Sequence, residues 1–286
     1  ILDFSQVLAG PFATQLMAQL GAEVIKIEQP VGGDMTRGLM SASSDGMAPS
    51  FLAANLGKRS LTLDLKNPKA DEIVHKLVAK ADVIVENFKP GTIERLGFGY
   101  EAMKAIKPDL VYASISGFGQ TGPRASLPAF DGAIQAYSGM MSISGHAETG
   151  PVRSGYFSVD MSTALNAAFA ITAALLRRAN TGEGQRIDVS MLDTAMFMQS
   201  PQMTGYLVTG KAPELNGNAS PTKQPTSNVF ASSNGYVQVI AMKETQVQAL
   251  FAELGMPERY AEFNEPTLRL ARRDEVHELI APLIAA

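Results

Sequence analysis

What most restricts the fold of this chain is an alternation that recurs along it: a short apolar run, a stretch with helical spacing, then another apolar run. Residues 1–4 read as a strand, Pro11 marks a helix start, residues 12–20 continue it, Gly21 stops it, and residues 24–27 form the next strand. Further strands are expected at 61–63, 83–85 and 110–115, with helices at 68–80 and 90–106, the latter interrupted at Gly97 and Gly99. A helix over 158–179, closed by Gly182, leads to a strand at 186–189 and a helix over 191–208. Strands separated by helices pair in parallel, because a parallel neighbour needs a crossover. The expected class is therefore α/β, with a Rossmann-like, mostly parallel sheet covered on both faces.

After Gly210 the composition shifts to Asn, Pro, Ser, Thr and Gln, the mark of a linker. Beyond it, strands at 229–231 and 236–241 flank Asn234-Gly235, a hairpin signal, and a helix over 244–254 ends at Gly255. This divides the chain into a large domain at 1–195, a linker at 196–217 and a smaller α+β domain at 218–286 that stops in mid-helix. The first residue, Ile1, already lies within a strand, so a natural N-terminal portion is expected to precede it.

Composition narrows the chemistry. Twenty-four Lys and Arg against 28 Asp and Glu give a net charge of −4, which argues against nucleic acid or an anionic membrane as partner. With no Cys there is no disulfide, thiolate nucleophile or cysteine zinc site, and a reducing compartment fits. His75, His146 and His277 are dispersed with no second ligand at helical spacing, so no metal is expected. The apolar stretch 164–176 carries Asn166 and Thr172, is too short to span a bilayer, and reads as a buried helix. No Walker loop, HExxH or GxSxG occurs, and the first strand-to-helix turn, Val7-Leu8-Ala9-Gly10-Pro11, holds one Gly where a dinucleotide fold carries three. With those glycines missing, Glu28 reads as a solvated strand end rather than a ribose-binding acid. Long loops at 29–47 and 118–129 are positioned for function.

One acid stands out. Asp160 opens the helix at 158–179, and two readings apply to it: an acid complementing the helix dipole with Ser158 as N-cap, or a carboxylate aimed at a pocket as a nucleophile.

The blocks Leu2-Asp3-Phe4, Val7-Leu8-Ala9-Gly10-Pro11 and Leu20-Gly21-Ala22-Glu23-Val24-Ile25-Lys26-Ile27-Glu28 are followed in order by several more. These are Gly33-Asp34-Met35-Thr36-Arg37-Gly38, Lys58-Arg59-Ser60, Leu63-Asp64-Leu65-Lys66, Val85-Glu86-Asn87-Phe88-Lys89-Pro90-Gly91, Arg95-Leu96-Gly97, Ser114-Ile115-Ser116-Gly117-Phe118-Gly119-Gln120-Thr121-Gly122-Pro123 and Thr181-Gly182-Glu183-Gly184-Gln185-Arg186-Ile187-Asp188-Val189. In this order the chain resembles the family III CoA-transferases, the CaiB/BaiF group that includes formyl-CoA transferases.

The resemblance implies that fold, and a transfer of CoA from an acyl-CoA to a small organic acid. It implies attack by Asp160 on the thioester through covalent aspartyl intermediates, without ATP or a metal. A carboxyl with a reference pKa of about 3.9 is ionised at neutral pH and needs no base to attack. By the same resemblance CoA is held by Leu8, Ala9, Leu63, Asp64, Leu65, Lys66, Asn87, Phe88, Lys89 and Arg95, with Lys66 and Arg95 on phosphate. Asp131 either orients Asp160 or the substrate carboxylate, or caps a helix. The enzyme is expected to be an interlocked homodimer in the cytoplasm, completed by a C-terminal segment that returns to the large domain.

Three positions depart from the pattern. Gln29 stands where formyl-CoA transferase has an Arg for the nucleotide, Leu8 where it has a Gln, and no run of glycines occurs between 216 and 228. Oxalate is therefore a poor candidate acceptor. Arg37 lies in a retained motif, and the sequence leaves its role open, a structural one among the alternatives. The related α-methylacyl-CoA racemases use a His beside an Asp and a downstream carboxylate; here Phe130 precedes Asp131 and Asn228 takes the later place, which favours transfer over racemisation. A CoA-binding protein without turnover is the third reading.

Overall fold

The computed structural model describes residues 1–39 and 47–285, so part of the expected loop at 29–47 lies outside the described residues. In chain order come β1 (Leu2–Asp3), α1 (Ala9–Gln19), β2 (Ile25–Glu28), α2 (Pro49–Asn55), β3 (Arg59–Thr62), α3 (Lys69–Val78) and β4 (Val83–Glu86). They are followed by α4 (Thr92–Arg95), α5 (Tyr100–Ile106), β5 (Val111–Ser116), α6 (Asp131–Tyr137), α7 (Met140–Ile143), β6 (Gly145–His146) and β7 (Gly150–Pro151). The remainder is α8 (Ser158–Thr181), β8 (Gln185–Ser190), α9 (Met191–Met198), α10 (Ser200–Thr209), β9 (Ser227–Ser232), β10 (Gly235–Ile240), α11 (Glu244–Glu253), α12 (Pro266–Ala271) and α13 (Arg273–Ala285).

The expected parallel sheet is present. Six strands pair in the order β3-β2-β1-β4-β5-β8, every neighbour parallel. Side chains alternate across it as a pleated strand requires. Val83, Val85, Val111, Ala113 and Ile115 meet Ala13 and Met17 of α1 and Ala164, Ala167 and Ile171 of α8 on one face. Ile84 and Tyr112 meet Val74, Val78, Ile93, Phe98 and Met103 on the other. Gly10 is required by the first of these layers, because a Cβ there would lie 2.3 Å from the Ser5 Cβ. The single glycine of the first turn thus serves the approach of helix to strand.

Helix α8 is longer and less buried than the sequence suggests. It has 24 residues, ends at the left-handed Gly182, and by length and composition is apolar enough to cross a membrane, with a third of its apolar window buried. The exclusion of a span by length therefore does not hold. Its small-residue face, Ala164, Ala167, Ile171 and Ala174, packs on the sheet and α1, while Leu165, Phe169 and Leu176 stay exposed. The helix expected over 191–208 is two, α9 and α10, since Pro201 in the first turn of α10 has no N–H to continue the ladder.

The described chain separates into two compact units, residues 1–140 with 154–210, and residues 141–153 with 211–286. The expected linker at 196–217 therefore includes α10, and the second unit recruits 141–153, where β6 and β7 pair. In the second unit β9 and β10 form an antiparallel hairpin in which Gly235 pairs with Ser232, leaving Ser233 and Asn234 as the loop, one residue earlier than the sequence signal. Phe230, Val247, Phe251, Phe263, Val276 and Ile280 make its core, and the buried Arg269 pairs with Glu244.

Candidate active site

Strand order decides where a ligand fits. From β1 the chain runs outward to β2 and β3 on one side and to β4, β5 and β8 on the other. Loops leaving the carboxyl ends of β1 and β4 therefore diverge, and the crevice between them is where open α/β sheets take ligands. Leu8 and Ala9 follow β1, Asn87, Phe88 and Lys89 follow β4, Leu63, Asp64, Leu65 and Lys66 follow β3, and Arg95 ends the short α4. All the residues expected to hold CoA thus follow strands at this edge. Among the described residues Lys66, Lys89 and Arg95 are exposed cations outside any ion pair, the donor chemistry that phosphates require. Phe88, Leu63 and Leu65 instead pack on the core below.

The β1–α1 turn is held residue by residue. The Ser5 N–H donates to Asp3 Oδ1 at 2.9 Å, the Ser5 carbonyl accepts from Lys26 Nζ at 2.7 Å, and Gln6 exchanges two 2.7 Å bonds with the Asn87 amide across the crevice. Asn87 is thereby committed to the turn. Val7 stands at φ +69°, a conformation costly for a β-branched residue, and its N–H is held by both oxygens of Asp34 at 3.3 and 3.2 Å. Beneath the turn lies a buried charge cluster: Lys26 pairs with Asp34 at 3.0 Å and Lys58 with Asp3 at 2.9 Å. Burial alone would push the Asp3 carboxyl up, but Lys58, Lys26 and the Ser5 and Thr14 hydroxyls hold it down at about 2.

Glu28 is not a solvated strand end. It is 5% exposed, receives Arg37 Nε and Nη2 at 2.8 and 2.7 Å, and also accepts from Ser60 and the Asp34 N–H. Those donors overcome the cost of burial and hold its carboxyl at about 2. Arg37, whose role the sequence left open, holds Glu28 in place. Sequence inspection also passed over Glu86, which burial pushes up to about 7 although it accepts the Phe88 N–H at 2.9 Å.

Asp160 reaches the same edge by chain direction. At the far end of α8, Arg178 donates to the carbonyls of Asp82 and Asp109, just ahead of β4 and β5. The first turn of α8 therefore faces the carboxyl ends of the strands. Ser158 is not its cap. The capping group is Asp131 of α6, whose Oδ2 accepts from the Val159 and Asp160 N–H groups at 2.8 and 3.0 Å, while Ser158 Oγ lies 2.8 Å from Ser154 Oγ. Asp131 therefore caps the helix that carries Asp160. Asp131 Oδ1 accepts from Gln135 Nε2 at 2.5 Å.

No donor among the described residues engages the Asp160 carboxylate itself. Burial, then the neighbouring Asp131 charge, pushes its carboxyl up to about 7. An ordinary carboxylate value does not apply here.

A profile of CoA-transferase family III matches residues 1–286. The chain belongs to that family. It is 37% identical over 292 residues to the succinate–glutarate CoA-transferase of Agrobacterium fabrum, covering 98% of this chain and 72% of that one. With the acetyl-CoA:oxalate CoA-transferase of Acetobacter aceti it shares 40% over 278 residues, 96% of this chain and 71% of the other. A crystal structure of a CaiB/BaiF family protein from Brucella suis superposes with a TM-score of 0.89 at 37% identity, covering 99% and 76%. Phe130 is 69% exposed at the start of α6, and Asn228 lies on β9. Neither side chain moves a proton at neutral pH.

Proposed function

We propose that this family III CoA-transferase works through Asp160 as a covalent nucleophile, exchanging CoA between an acyl-CoA and a small organic acid. The observation that carries the reading is the Asp160 carboxylate: set on the first turn of α8, without a donor of its own among the described residues, beside a second carboxylate that has taken the helix N–H groups. A raised carboxyl is a stronger nucleophile once ionised, and transfer to a thioester carbonyl needs no further base.

The steps balance without ATP. An Asp160 oxygen bonds to the thioester carbonyl carbon, the C–S bond breaks, and CoA leaves as thiolate, giving a mixed anhydride. The thiolate then attacks the Asp160 carbonyl, expelling the donor acid as carboxylate and leaving an aspartyl-CoA thioester. The acceptor carboxylate attacks that carbonyl and releases thiolate again. The thiolate finally takes the acyl group from the new anhydride and restores Asp160.

The loops after β1, β3 and β4 support the CoA contacts, with Lys66, Lys89 and Arg95 toward its phosphates. A relative named for succinate and glutarate makes those longer dicarboxylates the first acceptors to try. As part of this proposal the enzyme acts as a homodimer in the cytoplasm. The exposed Leu165, Phe169 and Leu176 stripe of α8 and Phe197, 76% exposed on α9, support self-association, and the lack of cysteine suits a reducing compartment.

The test is mass spectrometry of the Asp160 peptide after mixing protein with an acyl-CoA. Acyl or CoA mass is expected there, and Asp160→Asn should lose transfer by ~10³-fold or more. Transfer at the wild-type rate by Asp160→Asn refutes the proposal.

A further inference from the structure

The group that fixes Asp131 in place is Gln135, one turn along α6 and 1% exposed. Its amide has no freedom left. Oε1 accepts the Ser154 N–H at 2.9 Å, while Nε2 donates to Asp131 Oδ1 at 2.5 Å and to Ser154 Oγ at 2.8 Å. The single Ser154 hydroxyl proton goes to the Tyr156 carbonyl at 2.8 Å, so Ser154 accepts from Gln135 and Ser158 is the donor in the serine pair. The directions are therefore determined. Gln135 ties α6 to the strap that enters α8, and presents only N–H groups to Asp131.

This leaves Asp131 with a donor on Oδ1 and two helix N–H groups on Oδ2. A buried carboxylate so surrounded has one orientation, and a negative charge at a helix N-terminus is favoured there. We propose that Gln135 is a positioning residue for the attacking carboxylate: acting through Asp131, its amide sets where the nearest negative charge stands relative to Asp160. The proposal rests on Asp160 being the nucleophile, and it extends that reading to a residue that touches neither substrate nor the reacting atoms.

Other titratable groups on the packed elements are few. Helix α1 carries none, α6 offers Asp131 and Tyr137, α9 offers Asp193, and β5 and β8 offer Tyr112, Arg186 and Asp188. The charge that acts on Asp160 is Asp131.

The test uses two substitutions with opposite expected signs. Gln135→Glu keeps the shape but adds a carboxyl beside Asp131, so ionisation of Asp160 should move to higher pH. Gln135→Met removes the donor on Oδ1 and leaves the Asp131 carboxylate held by the helix N–H groups alone, free to turn from its fixed orientation, so Asp160 should ionise at lower pH. Shifts of about one pH unit are expected in each direction. They are read as the acidic limb of kcat/KM for CoA transfer, and by carbon-13 titration of Asp160 in protein labelled at aspartate, assigned with Asp160→Asn.

A merely structural role would lower the rate at all pH values and leave the limb in place. If either folded variant titrates within about 0.3 units of wild type, the positioning role is overturned. Should Gln135→Met fail to fold, the near-isosteric Gln135→Glu carries the test alone. The carbon-13 readout needs no turnover: a protein whose Asp160 shifts as expected but never acquires acyl or CoA mass would retain the positioning role and lose the covalent mechanism.

Discussion

Lys58→Met removes the cation from a buried ion pair, Lys58 with Asp3, whose side chains are 2% and 0% exposed. Lys58 Nζ donates to Asp3 Oδ2 at 2.9 Å, to the Pro11 carbonyl at 2.7 Å and to Asn55 Oδ1 at 2.8 Å, so the substitution strands one charge and two neutral acceptors. A first magnitude comes from Asp3. Its fall from 3.8 to about 2 is worth about 2 kcal/mol at neutral pH. Because the folded value is the lower one, that stability is fully present above the unfolded value and is lost as pH falls through the folded one. Breaking a buried pair from one side costs about 3–5 kcal/mol, since the partner stays buried and uncompensated. We therefore expect Lys58→Met to lose about 3 kcal/mol, and its acid unfolding to begin at higher pH than in wild type. Adding Asp3→Asn should recover at least about half of the loss, because the stranded charge is then gone. Urea unfolding followed by circular dichroism gives the energies, and hydrogen exchange of the α1 amides assigns them to this unit. A single-variant cost under about 1 kcal/mol, or a double variant no better than the single, would show that the cluster is not the buried charge balance derived above.

Two further substitutions probe the turn above that cluster. Val7→Gly should raise stability by about 1 kcal/mol, the relief of a β-branched residue at φ +69° less the chain entropy that glycine adds, and a calorimetric melt a few degrees higher would record it. A lower melting temperature would mean that packing of the Val7 side chain outweighs the strain. Asn87→Ala deletes both bonds to Gln6 and should cost about 1–2 kcal/mol, with the Gln6 amide losing exchange protection before the rest of the sheet. Unchanged protection at Gln6 would count against the crevice being bridged there.

The central strands were readable because each is a short apolar run whose neighbours supply both buried faces, as at Val83 to Glu86 and Val111 to Ser116, whereas the edge strand Arg59–Thr62 is mostly exposed and starts two residues before the apolar run expected at 61–63. The end of α8 was readable at Gly182 because left-handed φ is a local property of one residue. Burial of charge was not. Glu28 resembles any strand-end acid until Arg37 and Ser60, 9 and 32 residues away, close over it. The missed break at Pro201 was local and visible, but the apolar pattern continues through it.

The same distinction explains Asp160. Its place at a helix start is legible, and spacing alone assigns the helix N–H groups to it or to Ser158. In the folded chain those groups belong to Asp131, contributed from 28 and 29 residues upstream by another helix. An acid that keeps its helix N–H groups is stabilised as an anion and becomes a poorer nucleophile; one whose groups are taken by a second acid is left charged at a cost. No local pattern distinguishes these cases, because the difference lies entirely in which carboxylate the fold brings to the first turn of α8. A helix N-terminus capped by a neighbouring helix's acid, beside a first-turn acid with no donor among the described residues, is therefore the arrangement on which the proposed role of Asp160 rests.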